Sequence, residues 1–325
     1  MSGRVAVLGG GAWGTALAVT LARVGADVGF WMRDEETARA VNDRHENPSY
    51  LPGILLDSQL KATTEIDAAM RGATCVLAVV PAQTLRPMAQ DLRRLPKIPF
   101  VICAKGIESA SGKRLSEVVV EVLPGWPVAV LSGPSFATDV ARGLPTAVTV
   151  ASDDGDRAAG IARLVSTPTF RCYSTDDLVG VEIGGALKNV LAIAAGAVSG
   201  AGLGASAQAA IVTRGFVEMR RLAASYGARA ETLMGLSGLG DLVLTCGSAQ
   251  SRNFAYGLAL GQGRDRTGMK LAEGVATASI AARIAGQRGI DAPITDAVAR
   301  MLAGELTVGQ AMGELLARPL KAEDE

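Results

Sequence analysis

The most constraining feature of the chain is its opening run, Val5-Ala6-Val7-Leu8-Gly9-Gly10-Gly11-Ala12-Trp13-Gly14. An apolar stretch leads into G-x-G-x-x-G at Gly9, Gly11 and Gly14, and a helical pattern, Thr15–Val24, follows. In such a strand–turn–helix unit the first glycine permits a tight turn. The second lets the backbone approach a pyrophosphate, and the third lets the helix pack against the strand. The N–H groups at the helix start then bind the anion. With a second strand expected at Asp27–Trp31, the context favours a dinucleotide site over an unoccupied structural turn.

The pattern that begins at this turn continues. Strand-like runs occur at Val5–Leu8, Asp27–Trp31, Thr74–Val80, Pro99–Ala104 and Val128–Ser132, with helical stretches such as Thr37–Asn42 and Thr84–Leu95 between some of them. Apolar strands alternating with helices predict an α/β domain, a mostly parallel Rossmann-type sheet covered on both faces. Ala147–Ala151 and Phe170–Tyr173, flanking a helix at Asp156–Val165, should extend the same sheet. Beyond about Asp176 strand signals stop. Leu178–Ala197, Ala205–Tyr226, Arg229–Met234, Asn253–Leu260, Ala276–Gln287, Ile294–Ala303 and Val308–Leu316 read as helices, with Gly227, Gly289 and Pro293 at expected stops and starts. Residues 1–177 are thus expected to form a nucleotide-binding domain and 178–325 an all-helical substrate domain, with Lys321–Glu325 a solvated end.

Composition excludes several classes. Lys+Arg and Asp+Glu are equal at 32 each, which leaves no electrostatic footprint for nucleic acid or an anionic membrane. An anionic substrate would need a local cationic pocket. The cysteines, Cys75, Cys103, Cys172 and Cys246, form no C-x-x-C pair and read as buried reduced thiols. With His45 as the one histidine, no metal site is expected; His45 itself, in the polar segment Asn42–Tyr50, reads as a surface or loop residue. Val190–Val212 carries no charge, yet Gly200, Gly202 and Gly204 would break a membrane helix. Two buried helices joined by a glycine turn are expected there. The run Arg4–Leu8 near the N-terminus reads as a strand, so no signal peptide and a cytoplasmic location are expected.

The second strand ends at Phe30-Trp31-Met32 and is followed by Arg33, with acids only at Asp34 and Glu35. An arginine there accommodates the 2′-phosphate of NADP(H), whereas Asp or Glu serves the ribose of NAD. NADPH is therefore the expected preference, and Asp34 leaves dual use open. Lys105 follows the strand Val101–Ala104, at the carboxyl edge of the sheet where ligands bind. Ser132-Gly133-Pro134-Ser135 repeats the strand–turn logic, with a helix expected from Ser135. Lys188 lies in Gly184-Gly185-Ala186-Leu187-Lys188-Asn189-Val190, a helix otherwise apolar or small. Burial lowers the pKa of an unpaired amine, which suits proton transfer near neutral pH, unless the residue is a structural ion pair. Gly238–Thr245 offers the Asp241 carboxylate, a natural partner for a buried lysine, and the Thr245 hydroxyl on a flexible approach. Ser251-Arg252-Asn253 joins a cap, a cation and N–H donors, a combination suited to phosphate.

Together these segments resemble the bacterial-type NAD(P)-dependent glycerol-3-phosphate dehydrogenases. The resemblance runs through GGGAWGTALA at 9–18, YLPG at 50–53, AKGIE at 104–108, LSGPSFA at 131–137, GGALKNV at 184–190, GLGDLVLTC at 238–246, QSRN at 250–253 and AEG at 272–274. It implies NAD(P)H-linked reduction of dihydroxyacetone phosphate to sn-glycerol 3-phosphate, feeding glycerophospholipid synthesis, in a homodimer. It further implies Lys188 as proton donor or acceptor, and Lys105 touching cofactor and substrate. Gly133, Ser135, Asp241, Thr245, Ser251, Arg252 and Asn253 would surround the substrate, with Arg252 on its phosphate and also near the cofactor. Besides Gly9, Gly11 and Gly14, the residues Ala12, Trp13, Arg33, Ala137, Leu271 and Glu273 would contact the cofactor. Ala12 stands where many relatives have serine, and Leu271 where valine is common. The rival readings are a 3-hydroxy-acid dehydrogenase and a non-catalytic NADP(H)-sensing module.

Overall fold

A computed structural model describes residues 3–320; the tail expected to be solvated, Lys321–Glu325, lies outside them. The elements are β1 (Arg4–Leu8), α1 (Ala12–Ala22), β2 (Val28–Trp31), α2 (Glu35–Arg44), β3 (Ala62–Thr63), α3 (Ile66–Met70), β4 (Ala73–Ala78), α4 (Leu85–Asp91), β5 (Phe100–Ile102), α5 (Leu115–Val122), β6 (Val128–Ser132), α6 (Ala137–Ala141), β7 (Thr146–Ala151), α7 (Gly155–Val165), β8 (Phe170–Thr175) and α8 (Leu178–Gly200). Seven more helices follow: α9 (Ala205–Ala224), α10 (Ala230–Met234), α11 (Asp241–Cys246), α12 (Arg252–Gly261), α13 (Glu273–Gln287), α14 (Pro293–Leu302) and α15 (Val308–Leu316).

One eight-stranded sheet runs in the order β3-β2-β1-β4-β5-β6-β7-β8. Every neighbouring pair is parallel except β6 and β7. Strand β1 has β2 on one side and β4 on the other, so the order reverses beside it, and a crevice outside the strands' carboxyl ends is where such sheets hold ligands. Both faces of β1 are buried: Val5 and Val7 enter one apolar core, Ala6 and Leu8 the other. This explains why the strand reads as a continuous apolar run without alternation.

The chain divides into two compact units. One holds the described residues through Gly185 together with Ala228–Asp241, and the other holds Ala186–Gly227 and the residues from Leu242 onward. This differs from a single cut after residue 177. Residues near the start of α8 and α10 are tied to the sheet's unit: Glu182 accepts from the Ser116 N–H, the Ser116 hydroxyl and Arg114, and Asp177 accepts from the Gly180 and Arg229 N–H groups. Glu182 is buried, and desolvation pushes its pKa up against the pull of Arg114.

Within the second unit, α8 and α12 cross at backbone distance. A side chain at Gly196 or Gly200 would meet the carbonyls of Phe254 or Leu258 at 2.1 and 2.2 Å, and one at Gly257 or Gly261 would meet those of Ile193 or Ala197 at 2.1 and 2.2 Å. The helix α8 is long and apolar enough to cross a bilayer, but 89% of its most apolar window is buried inside the protein. The expected pair of helices joined by a glycine turn is present, with Gly202 and Gly204 at φ +70° and +89°. The early α9 residues Ala205, Ser206, Ala209 and Ala210 are exposed, however, whereas the uncharged stretch of α8 is buried through Val198. Glu218 of α9 caps α14 from a distance, accepting from the N–H groups of Ile294 and Thr295 and from the Thr295 hydroxyl at 2.7, 3.0 and 3.0 Å.

Four features depart from the sequence reading. The run Leu115–Val122, to which no element was assigned, is helical, and Ala62–Thr63 pairs as a short edge strand. The helix expected from Ser135 begins at Ala137, with Phe136 as its N-cap. The stretch expected as a flexible approach is a π-helical turn at Leu236–Gly240 continuing into α11. Among the described residues the cysteines form no disulfide; Cys75, Cys103 and Cys246 are buried and Cys172 half-buried, and desolvation pushes the Cys75 thiol up to about 12.

Candidate active site

The glycine turn sits at the carboxyl end of β1. Gly9, at φ +136°, packs so closely that an added Cβ would lie 2.1 Å from the Val79 carbonyl oxygen. At Gly14 a Cβ would lie 1.9 Å from the Gly9 oxygen, because α1 starts directly against the turn. Gly11 is different. It is the N-cap of α1 in an extended conformation, and no described atom lies within 4 Å of where its Cβ would be. The protein itself accounts for two of the glycines. The third faces open space, which is the room a pyrophosphate needs to reach the N–H groups of Gly11, Ala12 and Trp13. The residues present therefore fit a dinucleotide. Trp13 is half-buried, its ring 6.2 Å from that of Phe170.

At the end of β2, Arg33 is exposed. Asp34 is the N-cap of α2: its Oδ1 accepts from the Thr37 N–H at 2.7 Å and the Thr37 hydroxyl at 2.5 Å, bonds that hold its pKa below the usual carboxylate value. This capping role occupies Oδ1 of an otherwise exposed side chain. Arg33 faces solvent at this strand end, as do Asp34 and Glu35.

Lys105 follows β5 and is half-buried. Its amine donates to Asp241 Oδ2 at 2.6 Å and to the Gly133 carbonyl at 3.1 Å. Asp241 is buried at 1% exposure. The loop after Lys105 is rigidly tied: Arg86 forks onto Glu108 at 2.8 and 2.9 Å, the Ser111 hydroxyl donates to Glu108, and Gln83 brackets the Ile107 carbonyl and the Ser109 N–H. Those bonds hold the Glu108 pKa down. Gly133 takes φ +152°, and a Cβ there would meet Val148 Cα at 2.8 Å. The Ser135 hydroxyl turns back onto the Gly133 carbonyl at 3.0 Å. Beside this cluster the Ser132 hydroxyl is buried and finds no hydrogen-bond partner among the described residues. Gly185 leaves room next to it, since a Cβ there would lie 2.8 Å from Ser132 Oγ and 3.5 Å from Lys105 Cγ. Ser132 ends β6 inside the strand–turn motif read from the sequence, but nothing in that motif marks its hydroxyl as unpartnered.

In the second unit Lys188 is 7% exposed, and its amine donates to the Thr245 hydroxyl at 2.7 Å. The Asp241 carboxylate accepts from Lys105, as described. Asn253 is held at both ends: its Nδ2 donates to Asn189 Oδ1 and its Oδ1 accepts from the Gly274 N–H, both at 2.9 Å. Its side chain is structural, so its backbone N–H near the start of α12 is what it offers an anion. Ser251 caps that helix by accepting from the Phe254 N–H, and Arg252 at the first helical position is exposed. Leu271 is exposed, and Glu273 opens α13. Ala137 opens α6 and is half-buried. Among the described residues no group of three or more His, Cys, Asp or Glu side chains is placed to hold a metal. His45 is the half-buried C-cap of α2 at φ 52°.

Comparison with known proteins adds independent findings. The sequence profile described as NAD-dependent glycerol-3-phosphate dehydrogenase N-terminus matches residues 4–158, and its C-terminus counterpart matches residues 177–313. A glycerol-3-phosphate dehydrogenase (NAD(P)+) from Mesorhizobium japonicum is 64% identical over 324 residues, covering 99% of this chain and 94% of that protein. One from Brucella ovis is 58% identical over 326 residues and covers 100% of both chains. The crystal structure of a glycerol-3-phosphate dehydrogenase from Coxiella burnetii superposes with a TM-score of 0.92 at 40% identity, covering 97% of this chain and 99% of that one.

Proposed function

This chain belongs to the NAD-dependent glycerol-3-phosphate dehydrogenase family, and from that premise we propose how its residues carry the reaction. It is an NAD(P)H-dependent oxidoreductase that interconverts dihydroxyacetone phosphate and sn-glycerol 3-phosphate. The bound nicotinamide supplies the hydride. The observation that carries our assignment is the Lys188 amine, buried on an apolar helix and hydrogen-bonded to the neutral Thr245 hydroxyl. Such an amine can give a proton to the substrate oxygen as it becomes an alkoxide, and take it back in reverse. Lys105, steadied by Asp241 and the Gly133 carbonyl, supplies fixed positive charge toward substrate and cofactor. Arg252, with the N–H groups at the start of α12, holds the phosphate. Gly133, Ser135, Ser251 and Asn253 shape the surroundings of the substrate. Gly9, Gly11, Ala12, Trp13 and Gly14 seat the pyrophosphate, and Ala137, Leu271 and Glu273 complete the cofactor contacts.

NADPH is the preferred cofactor in this reading, because Arg33 faces solvent at the end of β2 and the Oδ1 of Asp34 is committed to its cap. The product serves glycerophospholipid synthesis, and the enzyme works in the cytoplasm as a homodimer. Steady-state oxidation of NADPH and NADH with dihydroxyacetone phosphate, in native protein and Arg33→Ala, tests the preference. The KM for NADPH should rise about ten-fold or more in Arg33→Ala with that for NADH nearly unchanged. An unchanged NADPH constant removes Arg33 from the 2′-phosphate. A short keto acid reduced as well as dihydroxyacetone phosphate would overturn Arg252 as a phosphate seat.

A further inference from the structure

Beneath the glycine turn lies Asn47, a fully buried polar residue in the segment between α2 and β3. Its Nδ2 donates to the Gly10 carbonyl at 3.0 Å and to the Thr15 hydroxyl at 2.8 Å, and its Oδ1 accepts from the Tyr50 N–H at 3.2 Å. The backbone around it is closed on itself, with Leu51 N–H on the Asn47 carbonyl and Leu56 N–H on the His45 carbonyl, both at 2.8 Å. Leu51, Ile54 and Leu56 are anchored in the same apolar core as Val5, Val7 and Leu17 of β1 and α1. Asn47 therefore approaches the turn from a fixed platform.

In a planar trans peptide the carbonyl and the following N–H point in opposite directions. Drawing the Gly10 carbonyl inward onto Asn47 turns the Gly11 N–H outward, to the side where no described atom lies within 4 Å of the Gly11 Cβ position. We propose that Asn47 is a positioning residue for the dinucleotide: it fixes the Gly10–Gly11 peptide so that the Gly11 N–H is held ready for the pyrophosphate. This rests on the pyrophosphate reading of the turn given above. Without Asn47 the Gly10 carbonyl keeps only the longer, 3.4 Å bond from the Thr15 hydroxyl, the peptide is freer to rotate, and the donor must be oriented anew each time the cofactor binds.

The test measures Kd for NADPH and NADH by nicotinamide fluorescence in Asn47→Ala, Asn47→Ser, Thr15→Val and Gly11→Ala, beside steady-state kinetics and thermal melting. Serine still accepts from the Tyr50 N–H but is too short to reach the Gly10 carbonyl, so it carries the test should alanine fail to fold. Both Asn47 variants should bind NADPH and NADH more weakly by the same factor, about ten-fold or more, since the pyrophosphate is common to both. Their kcat at saturating cofactor and KM for dihydroxyacetone phosphate should stay within about three-fold of native. Thr15→Val removes the longer, 3.4 Å bond from the Thr15 hydroxyl to the same Gly10 carbonyl but leaves the 3.0 Å Asn47–Gly10 bond in place, so it should bind within about three-fold of native. Affinity lost in Thr15→Val to the same degree as in the Asn47 variants would make the residue merely structural and overturn the proposal. Native affinity in the Asn47 variants, with Gly11→Ala weakened, would also overturn it while the pyrophosphate reading stands. Native affinity in Gly11→Ala would overturn the pyrophosphate reading itself.

Discussion

Replacing Glu218 by glutamine should reverse the order of stability of the two proteins between acid and alkaline conditions. The Glu218 carboxyl is 3% exposed and receives the Ile294 and Thr295 N–H groups and the Thr295 hydroxyl. Burial, assisted by the nearby Asp291 charge, outweighs those donors and pushes its pKa from 4.5 up to about 7. A carboxyl whose folded pKa lies above its unfolded value binds more protons when folded. Its contribution is fully present below pH 4.5 and is lost as pH rises through about 7. At about 1.4 kcal/mol per pH unit, that interval is worth about 3 kcal/mol. Glutamine keeps the shape but has one acceptor oxygen, leaving an N–H of α14 unpaired at a cost of about 1 kcal/mol at every pH. Near pH 4 the native protein should thus be the more stable by about 1 kcal/mol, and near pH 8 the variant by about 2 kcal/mol. Urea unfolding of both proteins at the two pH values measures this, and taking the difference between them cancels every other titrating group. A difference that stays constant with pH, or that moves in favour of the native protein as pH rises, would refute the reasoning.

The glycines of the turn should separate stability from binding. Gly14→Ala places a methyl 1.9 Å from the Gly9 carbonyl and should cost about 3 kcal/mol or more in stability, read as a lower melting temperature without ligand. Gly11→Ala, with open space at its Cβ, should melt as the native protein does and lose cofactor affinity. Asp241→Asn removes the charge facing the Lys105 amine and leaves that amine with the Gly133 carbonyl. Steady-state kinetics should show turnover lower by about 10²-fold, with the melting temperature also reduced, because a partly buried ammonium loses its counter-charge.

Much of the first unit was legible because its strands are apolar on both sides and its turns use residues with one physical purpose. Val128–Ser132 falls where the pattern placed it, and Val5–Leu8 is extended by Arg4 alone. Leu115–Val122 was not legible for the opposite reason. Its Val118-Val119-Val120 run suits a strand by intrinsic preference, yet Leu115, Val118, Val119 and Val122 recur with a helical period and are buried, and Glu117 closes a capping box on the Arg114 N–H. Tertiary burial overrides propensity there. Ala62–Thr63 is too short to carry a pattern. In the site, Lys105 and Lys188 stood out as cations in apolar surroundings. What the sequence could not show was partnership: the Lys105–Asp241 pair and the Asn47–Gly10 bond join residues separated by 136 and 37 positions. Asn47 is one polar residue among several between Asn42 and Tyr50, and only the fold distinguishes it.

The assignment of Lys188 as proton donor is tested most directly by the turnover of Lys188→Ala on dihydroxyacetone phosphate, measured beside its Kd for NADPH. Loss of the amine should lower kcat by about 10²–10⁴-fold while Kd for NADPH stays within about three-fold of native. Turnover within about ten-fold of native, in a folded variant that binds NADPH normally, would contradict Lys188 as the proton donor.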